Sequence, residues 1–138
     1  PTKGLLDLTE RAIRRWHGSA EGRETGLGWI DAMAHQFTPA PGLRVPHMGW
    51  NYVTARADSR LFAGIDATPR FYFAHSYHVV CADAADVAAT ADYGGVFTAA
   101  LTRGNIYAAQ FHPEKSHTFG MALFRNFLTI AGASHAAA

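Results

Sequence analysis

With 138 residues, of which 49% are hydrophobic and 17% charged, the chain has the makeup of a globular protein with a sizeable core. A net charge of +1 excludes the electrostatic footprint of a nucleic-acid or membrane-surface binder. No apolar run is long enough for a membrane span and no signal-peptide pattern opens the chain, while the single cysteine, Cys81, excludes an internal disulfide; the expectation is a reducing, cytoplasmic setting.

In chain order, Leu5 to Trp16 carries apolar residues at a helical period and predicts a helix. Gly18 to Gly28, rich in Gly, Glu and Arg, reads as an exposed loop. Trp29 through Phe37 predicts a strand, and Thr38 to Gly42, with two prolines, a turn. Val45 to Val53 reads as a short extended segment, and Leu61 to Ile65 as one helical turn. Arg70 to Cys81, aromatic and β-branched, is the clearest strand pattern. Val87 to Tyr93 and Val96 to Arg103 form a hairpin across Gly94-Gly95, and a tight turn at Arg103-Gly104-Asn105 leads into a strand from Ile106 to Phe111. Gly120 to Ile130 is an amphipathic helix, followed by an Ala-rich tail that reads as frayed. No repeat or boundary divides the chain, so one domain over 1–138 is expected.

The stretch Gln110-Phe111-His112-Pro113-Glu114-Lys115-Ser116 holds the most pointed chemistry. His112 and Glu114, two residues apart at the mouth of a strand, fall on the same side of the chain. Pro113 fixes its own φ and biases His112 toward an extended backbone. A carboxylate so placed accepts from one imidazole nitrogen and leaves the other free to take a proton from a nucleophile. The plainer alternative is a polar exit loop from a strand.

Other chemistries find less support. The eight histidines show no metal-ligand spacing, since His75 and His78 would face opposite sides of one strand and no cysteine pair exists. Gly26-Leu27-Gly28 and Gly94-Gly95 lack the lysine and helix of a phosphate loop. Cys81 ends an apolar strand with no helix opening after it, as expected of a structural thiol rather than a nucleophile. The tract Pro46-His47-Met48-Gly49-Trp50-Asn51 reads either as a bulge whose tryptophan fills the core or as a surface contacting a ligand or partner.

Three tracts in order, Pro46 to Asn51, Phe71-Tyr72-Phe73-Ala74-His75-Ser76-Tyr77 and Gln110 to Ser116, resemble the glutaminase subunit of imidazole glycerol phosphate synthase, a class I glutamine amidotransferase. Gly26 to Ile30, Asp92 to Gly95 and Arg103 to Ile106 add to the likeness, which covers about Gly26 to Leu128. The resemblance implies an α/β, flavodoxin-like three-layer sandwich and no cofactor or metal. It implies hydrolysis of glutamine to glutamate and ammonia, the ammonia passing to a (β/α)8 cyclase subunit in a heterodimer that makes imidazole glycerol phosphate and AICAR in histidine biosynthesis. On that likeness His112 is the general base and acid, Glu114 its orienter, and the backbone at Ser76 and Tyr77 the glutamine pocket. His47, Met48, Gly49, Trp50, Asn51, Tyr72 and Lys115 would face the cyclase, Lys115 through an intersubunit salt bridge.

The family carries its cysteine nucleophile on a G-x-C-x-G-x-Q elbow, and this sequence has no such tract. The expectation is therefore the C-terminal two-thirds of the domain, lacking the N-terminal strands and nucleophile elbow and inactive alone. A non-catalytic module that keeps the cyclase-facing surface is the alternative.

Overall fold

A computed structural model describes residues 13–16 and 28–136 of the chain. Nine strands and one α-helix are described: β1 (Ile13–Trp16), β2 (Ile30–Gln36), β3 (His47–Tyr52), β4 (Thr54–Ala55), β5 (Arg70–His75), β6 (Tyr77–Cys81), β7 (Val87–Asp92), β8 (Val96–Arg103), β9 (Ile106–Ala109) and α1 (His117–Ala136). Seven strands make one sheet, in the order β1-β2-β6-β8-β7-β4, with β9 also paired to β8. The remaining two, β3 and β5, form an antiparallel ribbon in unbroken register from His47↔His75 to Tyr52↔Arg70. The architecture is mixed α/β, as expected.

The main core lies between the ribbon, one face of the large sheet and α1. Phe71 and Phe73 of β5 and Phe111 beyond β9 are fully buried, and Phe71 stacks on Phe111 with centroids 4.0 Å apart. Ala88, Ala99 and Ala100 floor this cluster with small side chains, which lets the ring-rich ribbon approach the sheet. A smaller cluster of Ile30, Ala32, Val79, Leu101 and Ala108 occupies a second position on the sheet. Helix α1 turns Gly120, Leu123 and Ile130 inward at helical spacing. Asn126 clamps it by donating to the carbonyls of Leu61 (2.9 Å), in the 3-10 turn Arg60–Phe62, and of Ala63 (2.8 Å), which caps that turn.

Several sequence expectations need correction. Ile13–Trp16 is not the end of a helix but a strand, paired in parallel with β2; backbone pairing with a buried neighbour overrides a periodicity only a few residues long. The rest of that expected helix, and the loop before Gly28, lie outside the described residues. Arg70 to Cys81 is two strands in two sheets, broken at Ser76, because β5 pairs with β3 while β6 pairs with β2 and β8. Residues 131–136, expected to fray, continue α1, as an alanine-rich sequence favours. The hairpin at Gly94-Gly95 and the strand before Phe111 stand as expected.

Gly120 joins helix to site. A Cβ there would lie 1.8 Å from the Pro113 carbonyl oxygen, so only glycine permits the approach. Gly→Ala inside an ordinary helix stabilises by about 1 kcal/mol. Here the sign reverses: Gly120→Ala is expected to destabilise by about 1–3 kcal/mol through overpacking. Urea unfolding checks this, and an unchanged or raised midpoint would show that the helix and the turn are not in contact.

Candidate functional site

The site is built where the chain leaves β9. His112 forms an antiparallel bridge with Tyr72 of β5, its N–H donating to the Tyr72 carbonyl at 2.8 Å. The reciprocal bond is not direct. Ser116, fully buried, inserts its hydroxyl: Tyr72 N–H donates to Ser116 Oγ (3.0 Å), which donates to the His112 carbonyl (2.6 Å). His112 is therefore gripped from both backbone sides. Its backbone, at φ −98° and ψ 96°, is extended as the following proline requires, and it caps the 3-10 turn Pro113–Lys115.

That turn brings Glu114 back onto the imidazole. His112 Nδ1 and Glu114 Oε1 are 2.9 Å apart, both side chains partly exposed. A carboxylate only accepts, so in the neutral ring Nδ1 carries the hydrogen and Nε2 presents its lone pair. No hydrogen bond occupies Nε2 among the described residues. The pair has the geometry of a general base and its orienting acid.

Cys81 does not complete it. The only thiol in the sequence lies at the far end of β6, paired with Ala32 of β2. Burial first, then the Asp86 and Asp83 carboxylates, push its pKa up to about 11, with a hydrogen bond to Thr98 acting against them. At pH 7 about one such thiol in ten thousand is ionised.

Beside the pair lies an aromatic face. Strand β3 alternates: Met48, Trp50 and Tyr52 are 63%, 46% and 60% exposed, while His47, at 4%, is buried. Trp50 therefore does not fill the core, and the uninterrupted register rules out a bulge. Gly49, at φ +122°, occupies backbone space that favours glycine. Trp50 meets Tyr72 edge-to-face at 6.2 Å and stacks on His117 at 5.4 Å, and His117 itself takes an unusual φ of +49°. Lys115 Nζ sits over the Tyr72 ring at 5.6 Å, and Arg70 over Tyr52 at 5.9 Å. Tyr52 and Arg70 escaped the sequence reading of this face, and His117 belongs to it as a ring beside Trp50; period-2 alternation from Met48 would have found Tyr52. Among the described residues no group of three or more His, Cys, Asp or Glu is placed to hold a metal, and no helix is long and apolar enough to cross a membrane.

His47 and Asn51, expected on the outer surface, instead turn inward. His47 Nδ1 lies 2.8 Å from His75 Nε2, and Asn51 Nδ2 lies 3.4 Å from His47 Nε2 and donates to the Asp92 carbonyl at 2.8 Å. Ser76 and Tyr77 follow directly, at the corner between β5 and β6. Burial lowers the pKa of both His47 and His75 to about 4. For His75 the bond to the Tyr77 carbonyl opposes that burial, and His47, His78 and His112 add smaller lowering effects. A folded-state pKa below the unfolded value near 6.5 means that the unfolded chain takes up protons first. The contribution of these rings to stability is thus full above pH 6.5 and is lost as pH falls toward 4. Each steepens the fall by up to about 1.4 kcal/mol per pH unit. Urea midpoints between pH 7 and 5 should show this slope, and His75→Gln should flatten it; an equal slope in that variant would contradict the assignment.

Comparison with known proteins gives one consistent answer. The sequence pattern of the family described as "Glutamine amidotransferase class-I" matches residues 22–131. The chain is 48% identical over 112 residues to "Imidazole glycerol phosphate synthase subunit HisH 2" of Pseudomonas aeruginosa, covering 81% of this chain and 55% of that one. It is 49% identical over 115 residues to "Imidazole glycerol phosphate synthase subunit HisH" of Leptospira interrogans (81% and 56% covered), and 41% identical over 128 residues to that of Azospirillum brasilense (92% and 67%). The chain thus spans about half the length of the first two relatives. A solved structure from Thermoplasma acidophilum, described as a GMP synthase protein, superposes with a TM-score of 0.61 at 21% identity, over 75% of this chain and 50% of that one, and shares the fold.

Proposed function

Because this chain belongs to the class-I glutamine amidotransferase family, we propose that it carries the base and orienter of the glutaminase subunit of imidazole glycerol phosphate synthase. The observation that supports this most directly is the 2.9 Å contact of His112 Nδ1 with Glu114 Oε1, at a residue whose backbone is held by Tyr72 on one side and the Ser116 hydroxyl on the other.

In this reading a thiol loses its proton to His112 Nε2 and attacks the side-chain amide carbon of glutamine. Glu114 holds the ring through Nδ1–H and stabilises the imidazolium that forms. The imidazolium then gives its proton to the departing nitrogen, releasing ammonia and leaving a glutamyl thioester. His112 next takes a proton from water, which attacks the thioester; the carbon–sulfur bond breaks, glutamate is freed and the imidazolium returns its proton to the departing thiolate. Cys81 does not suit the nucleophile's part, being half-buried at the far end of β6 and un-ionised at neutral pH. The thiol must be presented by something other than the described residues. The backbone at Ser76 and Tyr77 would hold the amino-acid end of glutamine.

The outward face of the ribbon supports a second element, a docking surface for the (β/α)8 cyclase that receives the ammonia. Met48, Trp50, Tyr72 and Lys115, with Tyr52, offer large exposed rings and a cation, the composition that enriches protein interfaces. A cytoplasmic location accords with the lone, reduced cysteine.

In the glutaminase assembled with its nucleophile and cyclase, His112→Asn is expected to lower glutamate formation by about 10²–10⁴-fold. Glu114→Gln is expected to lower kcat with less effect on KM; full activity in either variant would sink the assignment. The 138-residue polypeptide alone is expected to bind the cyclase without releasing ammonia. Ammonia release by it, abolished in His112→Ala, would overturn that expectation, and failure to bind would remove the docking surface.

A further inference from the structure

Beyond the His112 contact, β5 runs on for about 13 Å to a corner, at the usual rise per strand residue. There the chain changes sheets. His75 ends β5 in the ribbon, Tyr77 begins β6 in the large sheet, and Ser76 alone makes the crossing. A one-residue corner has no ladder of its own, so its geometry depends on what braces it. Phe37 N–H donates to the Ser76 carbonyl at 2.9 Å, and His75 Nδ1 lies 2.7 Å from the Tyr77 carbonyl.

The second brace begins on β3 and has only one possible polarity. A carbonyl cannot donate, so His75 Nδ1 carries the hydrogen, and a neutral ring then leaves Nε2 as acceptor. His47 Nδ1, 2.8 Å away, must therefore be a donor, which makes His47 Nε2 an acceptor facing the amide nitrogen of Asn51. Asn51 is fixed in turn: its Oδ1 accepts from Tyr52 N–H at 2.8 Å and its nitrogen donates to the Asp92 carbonyl. Direction is preserved from Asn51 to Tyr77. A proton added to either ring would set two donors against each other. The rings cannot slide, because His47 is sandwiched between Tyr93 (3.9 Å) and Phe73 (4.8 Å) and His75 packs against Phe37 (5.2 Å) and Phe97 (5.2 Å).

We propose that His47 and His75 are positioning residues for glutamine, a directed relay that sets the Ser76–Tyr77 corner from strand β3. The proposal rests on the reading of that corner as the glutamine pocket. Simple core filling does not account for it. Two imidazoles in an aromatic cluster carry a desolvation cost that apolar side chains of similar size avoid, and the cost is offset only while each nitrogen keeps its partner. The chain of bonds also ends on the corner rather than on solvent. Because Met48, Trp50 and Tyr52 project from the opposite side of β3, the relay joins the outward ribbon face to the corner with one strand between them.

The test uses the assembled glutaminase and cyclase, with glutamate formation as the readout. His75→Leu and His47→Leu are expected to raise KM for glutamine about tenfold, within the range a lost buried hydrogen bond produces, with a much smaller change in kcat. Leu61→Ala, buried but outside the relay, controls for lost stability and should leave KM unchanged. A KM within about twofold of wild type in both histidine variants, or an equal rise in Leu61→Ala, overturns the relay. His112→Asn run alongside separates the two ideas. Loss of activity there with unchanged KM in the histidine variants sinks only the relay, whereas retained activity sinks the underlying reading too. Should the leucine variants not assemble, 15N spectra of histidine-labelled enzyme decide: both rings neutral and Nδ1-protonated at about pH 6 support the relay, and an Nε2-protonated His75 or His47 overturns it.

Discussion

The antiparallel bridge between Tyr72 and His112 is the constraint from which the site is hung. It is a bridge of one residue pair, too short to persist on its own, and its neighbours supply the stability. On the core side Phe71 and Phe111, one position earlier on each segment, stack face to face in full burial. On the other side the Ser116 hydroxyl sits between the two backbones, accepting from one and donating to the other. Gly120 then lets the helix close over the Pro113 carbonyl. Core packing, a hydroxyl and a missing side chain together fix one imidazole.

Three histidines within one small region illustrate how neighbours decide chemistry. His112 is partly exposed and faces a carboxylate, so one nitrogen is held and the other is available. His47 and His75 are buried against rings and face only each other, an amide and a carbonyl, so neither has room for a second proton. The first arrangement suits proton transfer, and the second suits rigid orientation. His112 and His75 are joined through one strand: His112 bridges Tyr72 of β5, and His75 ends the same strand.

Local signals carried much of this into the sequence. The imidazole–carboxylate pair, the extended His112 before proline, the diglycine hairpin and the amphipathic period of α1 are all properties of residues close in the chain. What stayed hidden depends on residues far apart. Nothing in Arg70 to Cys81 announces a change of sheet at Ser76, since both halves have the same strand-forming composition. His75 and His78 could be compared with each other by spacing, but the partner of His75 is 28 positions upstream. Met121 and Leu128, apolar positions of α1, are exposed, because the core covers the helix along Gly120, Leu123 and Ile130 with Phe119 and Phe127 partly buried beside that line.

The single-residue crossing at Ser76 also limits how the chain can change length. On its near side the register is fixed by six cross-strand pairs with β3, and on its far side by five with β2. An inserted residue would have to be absorbed between them or would turn one strand's inward row outward. The segment from Arg70 to Cys81 therefore behaves as a ruler whose length cannot be edited, whereas the stretch from Thr38 to Pro46 lies outside both ladders and is tied down by single contacts, the Ala40↔Leu43 bridge and the Arg44 carbonyl that accepts from the Tyr93 hydroxyl.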